Sequence, residues 1–213
     1  DNLRDFINAL IPAVQALTSD FEIIIVNDGS TDATDKICHA LASQNQCIHV
    51  ITQKNAGICA ARNRGLEAAS GEFLTFCDDD DLLWQGALKL LLQTAEDTHA
   101  DIVRGGYELL RQRPDGTMVQ QPHPAGQACT IELGSGGYGA FLTNSGPQFV
   151  WNALYRRTAL LGLRFNERCS FGLEDFVFNA AAYRRISKAV YIPQVVSVSY
   201  THLRAHETKA NLV

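Results

Sequence analysis

The segment Phe21-Glu22-Ile23-Ile24-Ile25-Val26-Asn27-Asp28-Gly29-Ser30-Thr31-Asp32 sets the fold class of the chain. Its first six residues form a short, β-branched apolar run, which predicts a strand covered on both faces, as in a parallel sheet. Asn27-Asp28-Gly29-Ser30 ends that strand. Ser30, Thr31 and Asp32 are suited to cap the helix that follows, whose apolar stripe is Ile37, Ala40 and Leu41. Outward from this unit the alternation continues. Residues 49–52 read as a second strand, 57–69 as a helix stopped by Ser70-Gly71, and 73–77 as a third buried strand. Residues 82–95 read as a leucine-rich helix and 101–106 as a fourth strand. Strands alternating with helices predict an α/β layered fold with a mixed, mainly parallel sheet flanked by helices.

From residue 112 to about 146 the composition shifts to Pro, Gly, Gln and Ser, with Pro114-Asp115-Gly116 as a turn. This stretch reads as a connection to a second half that begins near Phe149, a place where substrate-facing loops collect. No internal repeat is visible.

The 213 residues suit one domain, and 46% hydrophobic with 19% charged residues describes a chain folded throughout. A net charge of −5 supplies no global field toward nucleic acid or an anionic membrane, so a phosphate-bearing ligand needs local help. No run approaches the roughly 20 apolar residues of a membrane span. The opening residues lack the regions of a signal peptide, so the expected compartment is the cytoplasm. Six cysteines without a CxxC pair point to reduced, mostly buried thiols rather than a zinc site or disulfide framework.

Three clusters could carry chemistry. Asp78-Asp79-Asp80-Asp81 directly follows a predicted strand. Two carboxylates about 4 Å apart repel by about 1 kcal/mol in water and about 4 kcal/mol at an effective dielectric of 20, so four in a row need a reason. One reason is a helix N-terminus, where each acid contributes roughly 0.3–1 kcal/mol. The other is a hard divalent ion, magnesium or manganese, at the carboxyl end of a strand, where α/β sheets bind ligands. Asp28 occupies the same end: it is either part of a turn and cap, or a carboxylate offered to the ring N–H of a nucleobase. Glu174-Asp175 opens an apolar stretch and is either the acidic first turn of a helix or a general base facing a cleft. Arg62 and Arg64 lie on a predicted helix of small residues, and for Arg64 a solvated helix face is expected.

Taken together, these segments resemble glycosyltransferase family 2, an inverting family with the GT-A (Rossmann-like) fold. The matching blocks are IIIVNDGSTDAT, NAGICAARNRG, FLTFCDDDD and FGLEDFVF, in the family's order and spacing. The resemblance implies transfer of a sugar from a nucleotide-sugar, such as a UDP-sugar, to a hydroxyl of a saccharide or lipid-linked saccharide acceptor. It also implies a setting in bacterial cell-surface polysaccharide assembly. Carried over by motif, Asp28 binds the base, Asn55 and Arg62 help hold the nucleotide, and Asp78 lies near the ribose. Asp80, with Asp78 and Asp81 as neighbours, meets Mg2+ or Mn2+. Asp175 is the base, with Glu174 beside it as an acceptor contact. Asn27 stands where the family more often has Asp.

The resemblance runs over nearly all of Phe21 to Pro193 and implies one catalytic domain at residues 1–197, with a nucleotide-binding half at 1–110 and an acceptor half at 147–197. It implies that the family's first strand precedes residue 1, hence a sheet with its first strand missing. It places the full-length protein in the cytoplasm or at the inner membrane face. Trp151 and Tyr155 either stack on acceptor sugar or pack in the core, and the core is expected for both. Residues 198–208 (VSYTHLRAHET) resemble a translated sequencing-library adapter, which sets 198–213 apart as a tail and discounts His202 and His206 as ligands. Two other readings remain: a sugar-phosphate nucleotidyltransferase, for which no Gly-rich G-x-G-T-R-like loop is present, and a non-catalytic nucleotide-sugar binder.

Overall fold

A computed structural model describes residues 2–78, 81–113, 115–124, 128–132, 149–169 and 173–202. Helix α1 (Asn2–Gln15) leads into β1 (Ile23–Asn27), α2 (Thr34–Gln44), β2 (Ile48–Thr52) and α3 (Ile58–Ala68). Then come β3 (Phe73–Thr75), β4 (Leu82–Leu83), α4 (Ala87–Thr98), β5 (Ile102–Gln112), β6 (Met118–His123), β7 (Cys129–Glu132) and β8 (Ala153–Arg156). Two short helices, α5 (Arg157–Leu160) and α6 (Glu174–Tyr183), precede the long final strand β9 (Lys188–His202).

The expected strand–turn–helix unit is present: β1 pairs in parallel with β2, from Ile23 opposite Ile48 to Asn27 opposite Thr52. Helix α1, which the sequence reading passed over, covers this pair. Its Ile7 and Ile11, four residues apart and so on one face, are buried against Leu41 and Ile48. The second sheet runs β3-β8-β5-β9-β4, with β6 on β5 and β7 on β9. No strand among the described residues joins β1 to β3. A mixed sheet flanked by helices was expected, but the parallel majority is corrected: five of the seven pairings among the described residues are antiparallel.

Successive strand residues face opposite ways, and that alternation builds two cores on the large sheet. Ile102, Ala153, Tyr155, Ala189 and Tyr191 point to one side, against Phe165, Phe178 and Tyr183. Val103, Leu154, Val190 and Ile192 point to the other, against Ala87, Leu91 and Ala95 of α4. The two longest strands, β5 and β9, run parallel, with an irregularity around Gly105. A Cβ at Gly105 would fall 2.4 Å from Val196 Cγ1 and 2.9 Å from the Gln194 carbonyl, so glycine permits the close approach.

Three expectations change. Residues 82–95 are not one helix: Leu82 and Leu83 pair with Val198 and Ser197, and α4 starts at Ala87 after Gly86, whose φ is +80°. The acidic run is therefore followed by a strand, and Asp78 and Asp81 do not charge a helix N-terminus. The segment from residue 112 is partly β structure. A turn closed by Arg113 and Thr117 joins β5 to β6, while 125–127 and 133–148 lie outside the described residues. The six cysteines are free, but only Cys38 and Cys59 are buried. Tyr155 and Trp151 are buried, and no helix among the described residues is long and apolar enough to cross a membrane.

Candidate active site

The turn after β1 is held by its own side chains. Buried Asn27 accepts from the Ser30 amide at 2.9 Å and donates to Asp35 Oδ1 at 2.8 Å, which also takes the Thr52 hydroxyl at 2.8 Å. An aspartate at 27 would put two carboxylates face to face. Gly29 sits at φ +83° with Asn55 packed on it; a Cβ would fall 2.6 Å from the Asn55 nitrogen. The turn and the loop before α3 therefore fit only with glycine.

Asp28 is drawn into that loop. Its Oδ1 accepts from Gln53 Nε2 at 2.7 Å and the Ala56 amide at 2.9 Å, and its Oδ2 from the Gly57 amide at 2.8 Å. Burial alone would raise its pKa, but these hydrogen bonds outweigh it and hold the carboxyl below the ordinary range. A carboxylate has about four acceptor sites, and three are used by described residues, which leaves one lone pair on Oδ2 unused among them. Asn55 is exposed next to this corner.

Arg62, five residues beyond Gly57 on α3, is the hub of the site. One guanidinium nitrogen donates to Asp175 Oδ1 at 2.5 Å and lies 3.6 Å from Glu174 Oε1; the other reaches both oxygens of Asp78, at 2.9 and 3.2 Å. The side chains of Arg62 and Asp175 are 9% and 10% exposed, and that of Asp78 33%. Burial would lower the arginine pKa, but the carboxylates around it outweigh that and raise it. The guanidinium also lies over the Phe165 ring, 5.4 Å from its centre. On the same helix, buried Asn63 ties α3 to Phe165: its Oδ1 accepts from the Phe165 amide at 2.7 Å and its Nδ2 donates to the Phe165 carbonyl at 3.0 Å.

Asp175 opens α6, and its second oxygen, Oδ2, accepts from the Val150 amide at 3.1 Å. Burial raises its pKa, assisted by the neighbouring Glu174 and Asp78, and prevails over the opposing pull of Arg62 and the Val150 N–H. The site thus holds a carboxyl that gives up its proton above the usual aspartate range, oriented from two sides.

Of the residues singled out in the sequence, Arg62, Asp78, Glu174 and Asp175 meet around one guanidinium, and Asp28 grips the start of the helix that carries it. Arg64 pairs with Glu67 on the exposed helix face, as expected. Asp81 is buried, with its amide on the Asp78 carbonyl at 3.1 Å. Asp79, Asp80, His206 and the side chain of His202 lie outside the described residues. Among the described residues no three His, Cys, Asp or Glu side chains gather as metal ligands. The donor chemistry of the 78–81 run, carboxylate oxygens alone, suits a hard divalent ion. Sequence reading missed Gln53, Asn63 and the Val150 amide. Only Asn63, in the RNRG block, carried a local signal.

The profile of the family described as Glycosyl transferase family 2 matches residues 1–162. The chain is 32% identical over 196 residues to the uncharacterized glycosyltransferase EpsJ of Bacillus subtilis, covering 88% of this chain and 55% of that protein. It is 27% identical to the cholesterol galactosyltransferase of Borreliella burgdorferi, over 90% of this chain and 55% of that one. Residues 1–349 of S. aureus TarS, in complex with UDP-GlcNAc, superpose with a TM-score of 0.70 at 21% identity, over 98% of this chain and 58% of that chain. The chain thus spans about half the length of the relatives it matches, and the structural likeness is one of fold.

Proposed function

The chain belongs to glycosyltransferase family 2, and from that premise we propose that it transfers a sugar from a nucleotide-sugar, a UDP-sugar in the first instance, to an acceptor hydroxyl with inversion. The observation that supports this most is the Arg62 cluster, which sets a buried carboxyl of raised pKa, Asp175, across one guanidinium from Asp78, the first residue of the acidic run after β3.

In this reading the spare lone pair of Asp28 accepts the base N–H, and the α3 loop it fixes lies along the nucleotide. The carboxylates of Asp78, Asp80 and Asp81 would hold Mg2+ or Mn2+; when bound, the ion supplies Lewis-acid neutralisation of charge on the departing diphosphate. Asp175 takes the proton from the acceptor hydroxyl as that oxygen bonds to the anomeric carbon, while the bond from that carbon to the diphosphate oxygen breaks on the opposite face. One displacement needs no covalent sugar intermediate, so the configuration inverts. Arg62 holds Asp175 in place, and Glu174 contacts the acceptor. A saccharide or lipid-linked saccharide acceptor at the inner membrane face, in bacterial surface-polysaccharide assembly, completes the proposal.

UDP release from a panel of UDP-sugars with Mn2+ and acceptor saccharides tests it. Asp175→Asn should lower turnover roughly 10²- to 10⁴-fold, the usual worth of a general base, and Asp80→Ala should abolish it. Pyrophosphate release would instead indicate nucleotidyl transfer, and binding without turnover a non-catalytic protein.

A further inference from the structure

The most enclosed charge in the described structure is outside the cluster above. Arg104 of β5 is 1% exposed, yet its hydrogen-bond partners among the described residues are neutral oxygens. They include the Phe149 carbonyl, Asn152 Oδ1 at 2.5 Å, the Tyr155 hydroxyl at 3.0 Å and Asn179 Oδ1 at 3.1 Å, and the Tyr183 hydroxyl joins them. Burial and the neighbouring Tyr183 push Tyr155 up to about 12 despite Arg104 beside it, so that phenol stays neutral at physiological pH. A buried cation without a counter-ion is costly, and an apolar side chain would fill the space at less expense.

What the guanidinium does is join three pieces of chain. One nitrogen, Nη1, grips both ends of residues 149–152, and the other, Nη2, reaches Tyr155 and Asn179, so the fork ties that segment to β8 and α6. Asn152 also exchanges hydrogen bonds with Gly105, its Nδ2 to the Gly105 carbonyl at 2.8 Å and its own carbonyl accepting the Gly105 amide at 3.1 Å. Asn179 Nδ2 donates to the same Phe149 carbonyl at 3.2 Å, and Asn179 is four residues along α6 from Asp175. Between the gripped residues lies Val150, whose amide holds Asp175 Oδ2.

We infer that Arg104 is a positioning residue for Asp175: by fixing residues 149–152 against α6 it keeps the Val150 N–H on Oδ2 and so sets the direction in which Oδ1 is presented. The inference rests on the reading of Asp175 as the base. Among the described residues the charged groups facing Asp175 are Arg62, Glu174 and Asp78, and none of them hydrogen-bonds to Arg104.

Arg104→Lys in the intact protein keeps the charge and loses the planar fork. Turnover of an active UDP-sugar should fall roughly tenfold to a hundredfold, as expected for a misplaced catalytic group, with the donor KM unchanged. Loss of the Val150 N–H removes a contact that lowers the Asp175 pKa, so the acid limb of the rate profile and the Asp175 carboxyl titration by NMR should both move to higher pH. Asn152→Ala, which loosens the same segment with Arg104 in place, should do likewise and serves if the lysine variant does not fold. A lower melting temperature with turnover and the Asp175 titration unmoved would overturn the inference. Asp175→Asn in the same series separates the two ideas: full activity there defeats the base assignment, while the titration shift still reports on Arg104.

Discussion

Replacing Arg62 with methionine keeps much of the side-chain bulk and deletes the one cation that three carboxylates share. Breaking a buried ion pair by removing one partner costs about 3–5 kcal/mol, because the remaining charge is left uncompensated. Asp175, only 10% exposed, carries most of that penalty; Asp78 is one-third exposed, so water screens its share. The lower end, about 3 kcal/mol, is therefore expected at neutral pH. In a domain of this size each kcal/mol moves Tm by about 2–4 °C, giving a fall of roughly 6–12 °C. The penalty should also depend on pH. The folded pKa of Asp175 is already raised, by burial first, so the stability of its protonated form is fully present below the unfolded aspartate value and lost as pH rises through the folded one. Without Arg62 the folded value climbs further. The deficit is then largest above that raised value and shrinks as pH falls through it. Urea unfolding of both proteins at pH 7.5 and 5 measures it; a deficit under about 1 kcal/mol, or one independent of pH, would refute the account of Arg62 as the shared counter-ion.

Three more outcomes are expected. Because the Asp175 pKa is raised, the acid limb of kcat/KM should lie above the ordinary aspartate value of about 3.9 and vanish in Asp175→Asn, which a pH–rate profile checks. Asn27→Asp exchanges a 2.8 Å donor to Asp35 for a facing carboxylate and should cost about 1.5–3 kcal/mol by thermal melting, the worth of a hydrogen bond to a charged group; an unchanged melt would contradict the role given to the amide. Gly105→Ala drives a methyl onto Val196 and should cost about 1–3 kcal/mol, the usual penalty of over-packing, in the same assay.

The N-terminal half was legible because its signals are local. The run at Ile23–Val26 and the turn glycine with its flanking polar residues each announce an element without reference to the rest of the chain. The leucines at 82 and 83 misled for the same reason. Locally they extend a helical stripe, but β9, more than a hundred residues later, claims them as a strand. The polar strand β6 shows almost no alternation of burial, leaving no period to read. In the site, the motif blocks named Arg62, Asp78 and Asp175 but not their mutual contact, which joins positions 113 residues apart. Arg104 was passed over because a charge inside a strand looks like an exposed position, and only the fold shows it sealed beneath residues 149–152.

Helix α3 gives the site its stiffness. The Gly57 amide at its head is fastened to Asp28, Arg62 lies five residues on, and Asn63 pins the far side to Phe165. At about 1.5 Å of rise per residue these anchor points lie on one short rod with little slack. A ligand that tugs on Asp28 therefore pulls against the same rod that steadies Asp175, and an axial slip of even one residue would disengage both ends together.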